Sequence, residues 1–314
     1  MGFPMAKGLA SNKAIGLEFD QTGIRATGIT GTSNHLLSVW PIFELKGDFS
    51  QEAQLLEGLK QLKQQLPILK TDKVVTAVGG KQVFVAQMPF RKLPESELEG
   101  ALKLEVRKFV HFEMAASTFE YQILKGHEEH SDQIQVMVSV VSNAYLLKQV
   151  HLLEKAGIKP NIVDVLPLAL ANVLPLHKSK VTEKASSTII HFAPGIATIV
   201  IEAPGHPFFH RYLYFSLENL QGSKNTRDLC ISGLSDEINR SLSYYEKNHA
   251  IPGGLHDMIA IGDYLHLPGF LSDLRKATGL EIRVGDLANS TQSNLEVETG
   301  RLELAIALAL RALP

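Results

Sequence analysis

Apolar and polar positions divide the chain into short strands and amphipathic helices. Residues 15–19 (IGLEF) form an apolar run of strand length, the polar turn Asp20-Gln21-Thr22-Gly23 follows, and 24–30 returns as a second strand. Residues 35–45 predict a third strand. Leu55, Leu59, Leu62 and Leu66 recur at steps of four and three, the period of one helix face. Residues 73–78 read as a buried strand ending at Gly79-Gly80.

A compact α/β unit follows. Residues 83–88 predict a strand. Leu98, Leu102, Val106 and Phe109 make a helical stripe opened by Pro94 and Ser96, residues 119–123 and 134–141 predict two more strands, and Leu146, Val150 and Leu153 mark a helix ended by Gly157. The order β-α-β-β-α implies a small sheet with its helices on one face. Beyond it come a strand at 161–165, a helix to about 174 and a polar linker at 177–185. Strands are then expected at 188–192, 196–202 and 207–215, and a long helix carries Leu234, Ile238, Leu242 and Tyr245. A strand at 258–261, a helix at 267–278, a strand at 280–284 and a last helix at 295–310 complete the chain. The halves share a motif: Ile15 to Ile24 and Ile189 to Ile196 are both strand, glycine-containing turn, returning strand, a weak internal repeat of one unit per half.

At 314 residues the chain has room for about two domains. With 31 basic against 33 acidic residues, its balance gives no support to a nucleic-acid binder. A single cysteine, Cys230, excludes an intrachain disulfide and a cysteine-cluster metal site. The most apolar runs, 304–310 and 162–174, fall short of the roughly 20 residues needed to span a bilayer. The first residues lack the apolar core of a signal peptide and read as a flexible leader, 1–14.

Two facing strand-turn-strand units have two readings. They are ordinary hairpins, or their backbone N–H groups form anion-binding concavities that cradle a triphosphate. Other chemistry is weaker. Gly79-Gly80-Lys81 is followed by Gln82, so it is no Walker-type phosphate loop. His127-Glu128-Glu129-His130 has metal-binding residue types but sits in a polar turn, and His206 and His210 lack a third ligand nearby. No metal site is therefore expected. The basic residues around Arg107 interleave with Glu95, Glu97, Glu99 and Glu105, as on a solvated helix face.

The stretch VAQMPFRKLPESELEGALKLEVRKFVHFE, then FEYQIL and VMVSVVSNAYLLKQVHLLEKAGIKPNIVDVLPLALANVL, resembles the inserted subdomain of the PilM family of type IV pilus assembly proteins. DEINRSLSYYEKNH, 236–249, and AIALALR, 305–311, resemble that family's helix beside the nucleotide and its closing helix. PilM proteins are bacterial, inner-membrane-associated members of the actin-like group that includes FtsA and GspL. The resemblance implies a two-lobed actin-like (ribonuclease H-like) α/β fold with an inserted β-α-β-β-α subdomain. Its divisions would be 15–81 with 158–178 for the first lobe, 82–157 for the insert and 186–314 for the second lobe.

Departures gather at the family's ATP–magnesium site. Its first phosphate turn reads like I-G-I-D-I-G-S-S-S-V-K; here Glu18 replaces the metal-side aspartate and Asp20 a phosphate-facing glycine. An expected Asp-Ile-Gly is His191-Phe192-Ala193, and an expected Gly-Gly is Gly262-Asp263. Gln21, Thr22, Gly23, Gly195, Arg240, Ser241 and Gly262 stay compatible with nucleotide contact. The family's role implies a cytoplasmic platform, peripheral at the inner membrane. It would capture the short cytoplasmic tail of a PilN-like membrane protein and communicate with pilus motor ATPases. Phe109 and Phe112 are candidates for the wall of the capturing groove. The leading reading is a non-catalytic assembly adaptor. The alternatives are an ATP-binding actin-like protein with slow hydrolysis or polymerisation, and a small-molecule kinase on the same fold.

Overall fold

The computed structural model describes residues 13–32, 35–66, 68–69, 71–124, 132–177, 186–203, 205–249, 251, 254–255, 257–287 and 300–312. The first part of the chain folds as β1 (Lys13–Phe19), β2 (Gly23–Thr32), β3 (His35–Lys46), α1 (Glu52–Gln65) and β4 (Lys73–Val78). Then come β5 (Val83–Arg91), α2 (Glu95–Val106), β6 (Ser117–Leu124), β7 (Gln133–Ser142), α3 (Asn143–Lys155), β8 (Ile162–Val165), α4 (Leu166–Ala171) and α5 (Leu174–His177). The remainder forms β9 (Ser187–Ala193), β10 (Ile196–Glu202), β11 (Phe209–Tyr214), α6 (Leu217–Gln221), α7 (Lys224–Asn248), β12 (Asp257–Ile261), α8 (Phe270–Thr278), β13 (Ile282–Val284) and α9 (Glu303–Leu310). Residues 1–12, 127–130, 178–185 and 288–299, which carry the expected leader, the His-Glu-Glu-His run, most of the linker and the start of the last predicted helix, lie outside the described residues.

Two five-stranded sheets share one topology, β3-β2-β1-β4-β8 and β11-β10-β9-β12-β13. Each is built on an antiparallel hairpin, β1–β2 or β9–β10, whose first strand then pairs in parallel with β4 or β12. Such parallel pairing needs a crossover, and helices α1 and α7 lie in the two connections. The repeat read from residues 15–24 and 189–196 is thus a repeat of sheet topology. A third sheet, β5-β7-β6, stands apart, with Val136, Val138 and Val140 of β7 facing Leu98, Leu102 and Val106 of α2.

Two placements differ from the sequence reading. The expected arrangement put both helices of the insert on one face of its sheet. Instead Tyr145 and Leu146 of α3 pack with Val83, Val85 and Val141, on the face away from α2, and Leu152 and Leu153 enter the first lobe's core beside Leu59 and Leu62. The apolar face of α3 is longer than the small sheet can cover, and the first lobe buries the rest.

The end of the chain was counted with the second lobe, yet α9 packs on β1, β2 and β4 of the first. Its residues Glu303–Ala309 are all buried, so the helix lies between the two sheets with α4, in one core shared by Val75, Ile189, Val200 and Ile306. Gly16 makes this approach possible: a Cβ there would stand 1.7 Å from the Ala305 carbonyl oxygen.

Candidate functional site

The β1–β2 hairpin sets Glu18 directly opposite Arg25 across the strand pair. Arg25 is 2% exposed, although guanidinium groups are rarely buried unless paired. Its partners are all carboxylates. Nε and Nη2 donate to the two oxygens of Glu18 at 3.2 and 3.1 Å, a bidentate fork, and Nη2 donates to Asp20 Oδ2 at 3.2 Å. Nη1 donates to Asp263 Oδ2, which belongs to the segment after β12 in the other lobe.

The second lobe adds His191 of β9, whose Nε2 lies 3.2 Å from Glu18 Oε1. Burial alone would raise the Glu18 carboxyl, but the Arg25 charge and the His191 hydrogen bond outweigh it and hold it down at about 2. An ionised Glu18 only accepts, so His191 Nε2 carries the proton of that bond. Arg301, which leads into α9, reaches Glu44 Oε1 at 2.8 Å and Asp263 Oδ1 at 3.3 Å. Four carboxylates (Glu18, Asp20, Glu44 and Asp263) therefore meet two guanidiniums.

Asp20 does more than add charge. Its Oδ1 accepts from the backbone N–H groups of Thr22 and Gly23 at 2.7 and 3.0 Å and from the Thr22 hydroxyl at 2.6 Å. These N–H groups are donors that a phosphate in this turn would use. Asp20 stands where the family's turn has a phosphate-facing glycine. In the structure its charge is paired with Arg25, and the larger obstacle is that the carboxylate sits where the anion would.

The remaining nucleotide-compatible residues separate. Thr22 and Gly23 belong to the occupied turn, Gln21 is exposed in it with its carbonyl accepting from the Phe49 N–H, and Thr22 Oγ1 lies 3.2 Å from Asp263 Oδ2. Gly195 turns the second hairpin at φ +69°, and Gly262 at φ +108° passes so close to Phe192 that a Cβ would lie 2.2 Å from its carbonyl oxygen. Both glycines have a structural reason to be there. Arg240 lies on the outer face of α7, largely exposed and paired with Glu237 at 2.6 Å. Ser241 is buried and donates to the Glu237 carbonyl. Neither lines the cavity at the hairpin turn, which holds about 190 Å³ between Glu18, Asp20, Gly79, Gly80, Tyr145, His191, Leu304 and others. Ligand pockets commonly hold about 300–1,000 Å³. The residues present thus do not fit a triphosphate and its metal in this arrangement.

The histidines singled out in the sequence are placed elsewhere. His206 lies against His249, and His210 is packed between Phe208 and Tyr212, where burial drives it down to about 4. Phe109 is half exposed and stacks on Phe84, and Phe112 packs against the core on the α2 face of the small sheet.

An open groove of about 740 Å³ runs along the other face of that sheet. Gln87, Gln122, Leu124 and Met137 form one wall, Asp164, Leu168 and Ala171 the floor, and Glu202, His206 and Phe208 the far side. Neither Phe109 nor Phe112 lines it. No local sequence pattern shows this groove, because its lining is spread along the chain from Gln87 to Arg311.

A buried acid at the start of α9 has a measurable consequence. Glu303 Oε1 accepts from the N–H groups of Leu287 and Gly300, each at 3.2 Å, and burial pushes the carboxyl from 4.5 up to about 7. The folded state thus holds this proton longer than the unfolded state, so stability falls as pH rises from about 4.5 to about 7. Glu303→Gln is expected to remove that fall and to stabilise the protein at pH 8 by up to roughly 3 kcal/mol. Urea denaturation between pH 5 and 8 checks it, and an unchanged slope would refute it.

The model of the family described as type IV pilus assembly protein PilM matches residues 44–202, from β3 through the small sheet to the end of β10. The chain belongs to the PilM family. Among solved structures, a PilM-PilN type IV pilus biogenesis complex superposes with a TM-score of 0.74 at 19% identity, covering 96% of this chain and 98% of that one. The cytoplasmic domain of EpsL, an inner-membrane component of the Vibrio cholerae type II secretion system, gives 0.51 at 10% identity, with 95% of each chain covered. The ethanolamine utilization protein EutJ from Carboxydothermus hydrogenoformans gives 0.51 at 11%, covering 96% and 90%. No curated protein matches in sequence. At these identities the structural matches bear on the fold, which is two-lobed and actin-like.

Proposed function

We propose that this PilM-family chain is a non-catalytic platform of a type IV pilus or related type II secretion assembly. It works at the cytoplasmic face of the bacterial inner membrane and captures the short cytoplasmic tail of a PilN-like membrane protein. Membership of the family supports the assembly role, and the similar solved PilM is itself in complex with PilN. No helix among the described residues is long and apolar enough to cross a membrane.

The observation that carries the reading is the contrast between two concavities. The cavity at the nucleotide turn holds about 190 Å³, with Glu18, Asp20 and His191 in it already engaged with Arg25 or with each other, whereas the groove beside the small sheet holds about 740 Å³. An extended segment lying there can bond its backbone to polar side chains and place alternate side chains in the recesses. Gln122 and Asn172 supply donors and acceptors, Gln87 keeps only its amide donors because its Oε1 accepts from the Phe208 N–H at 2.8 Å, and Leu124, Met137 and Leu168 supply apolar contact.

Removing residues 82–157 would also take Leu152 and Leu153 out of the first lobe's core, so point substitutions test the groove better than a deletion. Ala171→Arg and Met137→Arg fill it from the floor and one wall. Each is expected to weaken binding of a synthetic partner-tail peptide at least about tenfold, or about 1.4 kcal/mol, by calorimetry. Phe109→Ala and Phe112→Ala are on the other face and should change it less than about twofold. The reverse pattern would move the site to the α2 face, as the sequence reading had it.

A further inference from the structure

We propose that the cluster around Arg25 is a clasp made of the chain's own side chains. It holds the two lobes together at the turn where the family pattern places a nucleotide and cation. This goes beyond the adaptor role and does not depend on which peptide binds the groove.

The argument rests on which lobe supplies each group. Arg25, Glu18, Asp20 and Thr22 come from the hairpin of the first sheet; His191 and Asp263 come from the second. Two bonds cross between them, Arg25 Nη1 to Asp263 and His191 Nε2 to Glu18, and the Thr22 hydroxyl, whose one proton goes to Asp20, stands 3.2 Å from Asp263 Oδ2. Asp263 then meets a second guanidinium, Arg301, at the start of the helix shared by both lobes. One aspartate from the second lobe is thus held between two arginines.

The parts also have the polarity a ligand would otherwise supply. A bound nucleotide–metal pair presents anions to the hairpin N–H groups and a cation to the nearby carboxylates. Here the Asp20 carboxylate takes the N–H groups of Thr22 and Gly23, and the Arg25 guanidinium takes Glu18, Asp20 and Asp263. Both halves of that job are done internally. Removing Arg25 would leave three carboxylates facing one another across the lobe boundary, where like charges repel.

Pulsed electron spin resonance on the full chain tests this directly. Spin labels go on Glu57→Cys of α1 and Lys276→Cys of α8, both exposed, in a Cys230→Ser background. The parent should give one narrow distance that magnesium-ATP leaves unchanged. Arg25→Met and Asp263→Asn should each broaden the distribution at least about twofold or lengthen its mean. Arg25→Lys, which keeps the charge and loses the fork, should fall between. If Arg25→Met does not fold, Asp263→Asn and Arg25→Lys still decide. Parent-like distances in the variants that fold would overturn the clasp, and so would a parent whose distance shifts with ATP. Failure of the partner peptide to bind would count against the adaptor reading and leave these distances as predicted.

Discussion

Arg25→Met is expected to destabilise the protein by about 3–5 kcal/mol at pH 7, the cost of removing one side of a buried ion pair. Methionine fills much of the same volume, so the loss reads charge and hydrogen bonding more than packing. The deficit should depend on pH in a defined direction. In the parent, Glu18 is depressed from 4.5 to about 2, so its contribution is complete above about 4.5 and is lost as pH falls toward about 2. In Arg25→Met the Glu18 carboxylate is buried without its principal cation, and burial then disfavours its charged form. Protonation relieves the variant, so the gap between parent and variant should narrow as pH drops from 7 toward 5. Urea unfolding at both pH values measures it. A gap below about 1 kcal/mol at pH 7, or one that widens on acidification, would show that the cluster contributes little to folding.

Much of the fold was readable because strands and helices with one buried face announce their period. The hairpin at Asp20-Gln21-Thr22, the stripe of Leu98, Leu102 and Val106, and the repeated strand-turn-strand unit all follow from local pattern. The helix α9 was recognisable as a helix but not by its position. Every residue from Glu303 to Ala309 is buried, so no polar face says which sheet it covers. Leu152 and Leu153 posed the same difficulty, since a helical stripe names a buried face and not the core that buries it.

The candidate site was half legible. Glu18, Asp20, His191 and Asp263 stood out as departures from the family's pattern, and the structure brings all four to Arg25 or its direct neighbours. Arg25 itself was missed as their centre. The signal was present in part, because a short turn closing on Gly23 places Glu18 opposite Arg25 in the hairpin register. The Asp263 and Arg301 contacts join residues distant in sequence, which no local pattern shows. Arg240 and Ser241, drawn from the family's helix beside the nucleotide, lie away from the turn because Arg240 projects from the outer face of α7.

Asp20→Gly combined with Asp263→Gly should raise magnesium-ATP affinity above that of the parent. The first change frees the N–H groups of Thr22 and Gly23, and the second releases Arg25 from its cross-lobe partner. Together they change four carboxylates against two guanidiniums into two against two. One hydrogen bond to a charged group contributes about 1.5–3 kcal/mol, so freeing these donors is worth at least about tenfold in affinity. Glu18 remains as a potential metal-side carboxylate. A gain of at least about tenfold in magnesium-ATP affinity is expected. No gain in a folded double variant would mean that cavity size, and not Asp20 and Asp263, is the obstacle.

Calorimetric titration of the unmodified chain with magnesium-ATP, beside a titration with the partner-tail peptide, tests the central claim most directly. The account predicts a saturable peptide isotherm and no saturable ATP binding below about millimolar concentration, where binding free energy is only about 4 kcal/mol. Micromolar or tighter ATP binding would contradict it, because the donors and the cation of the hairpin turn would then have to be free for a ligand.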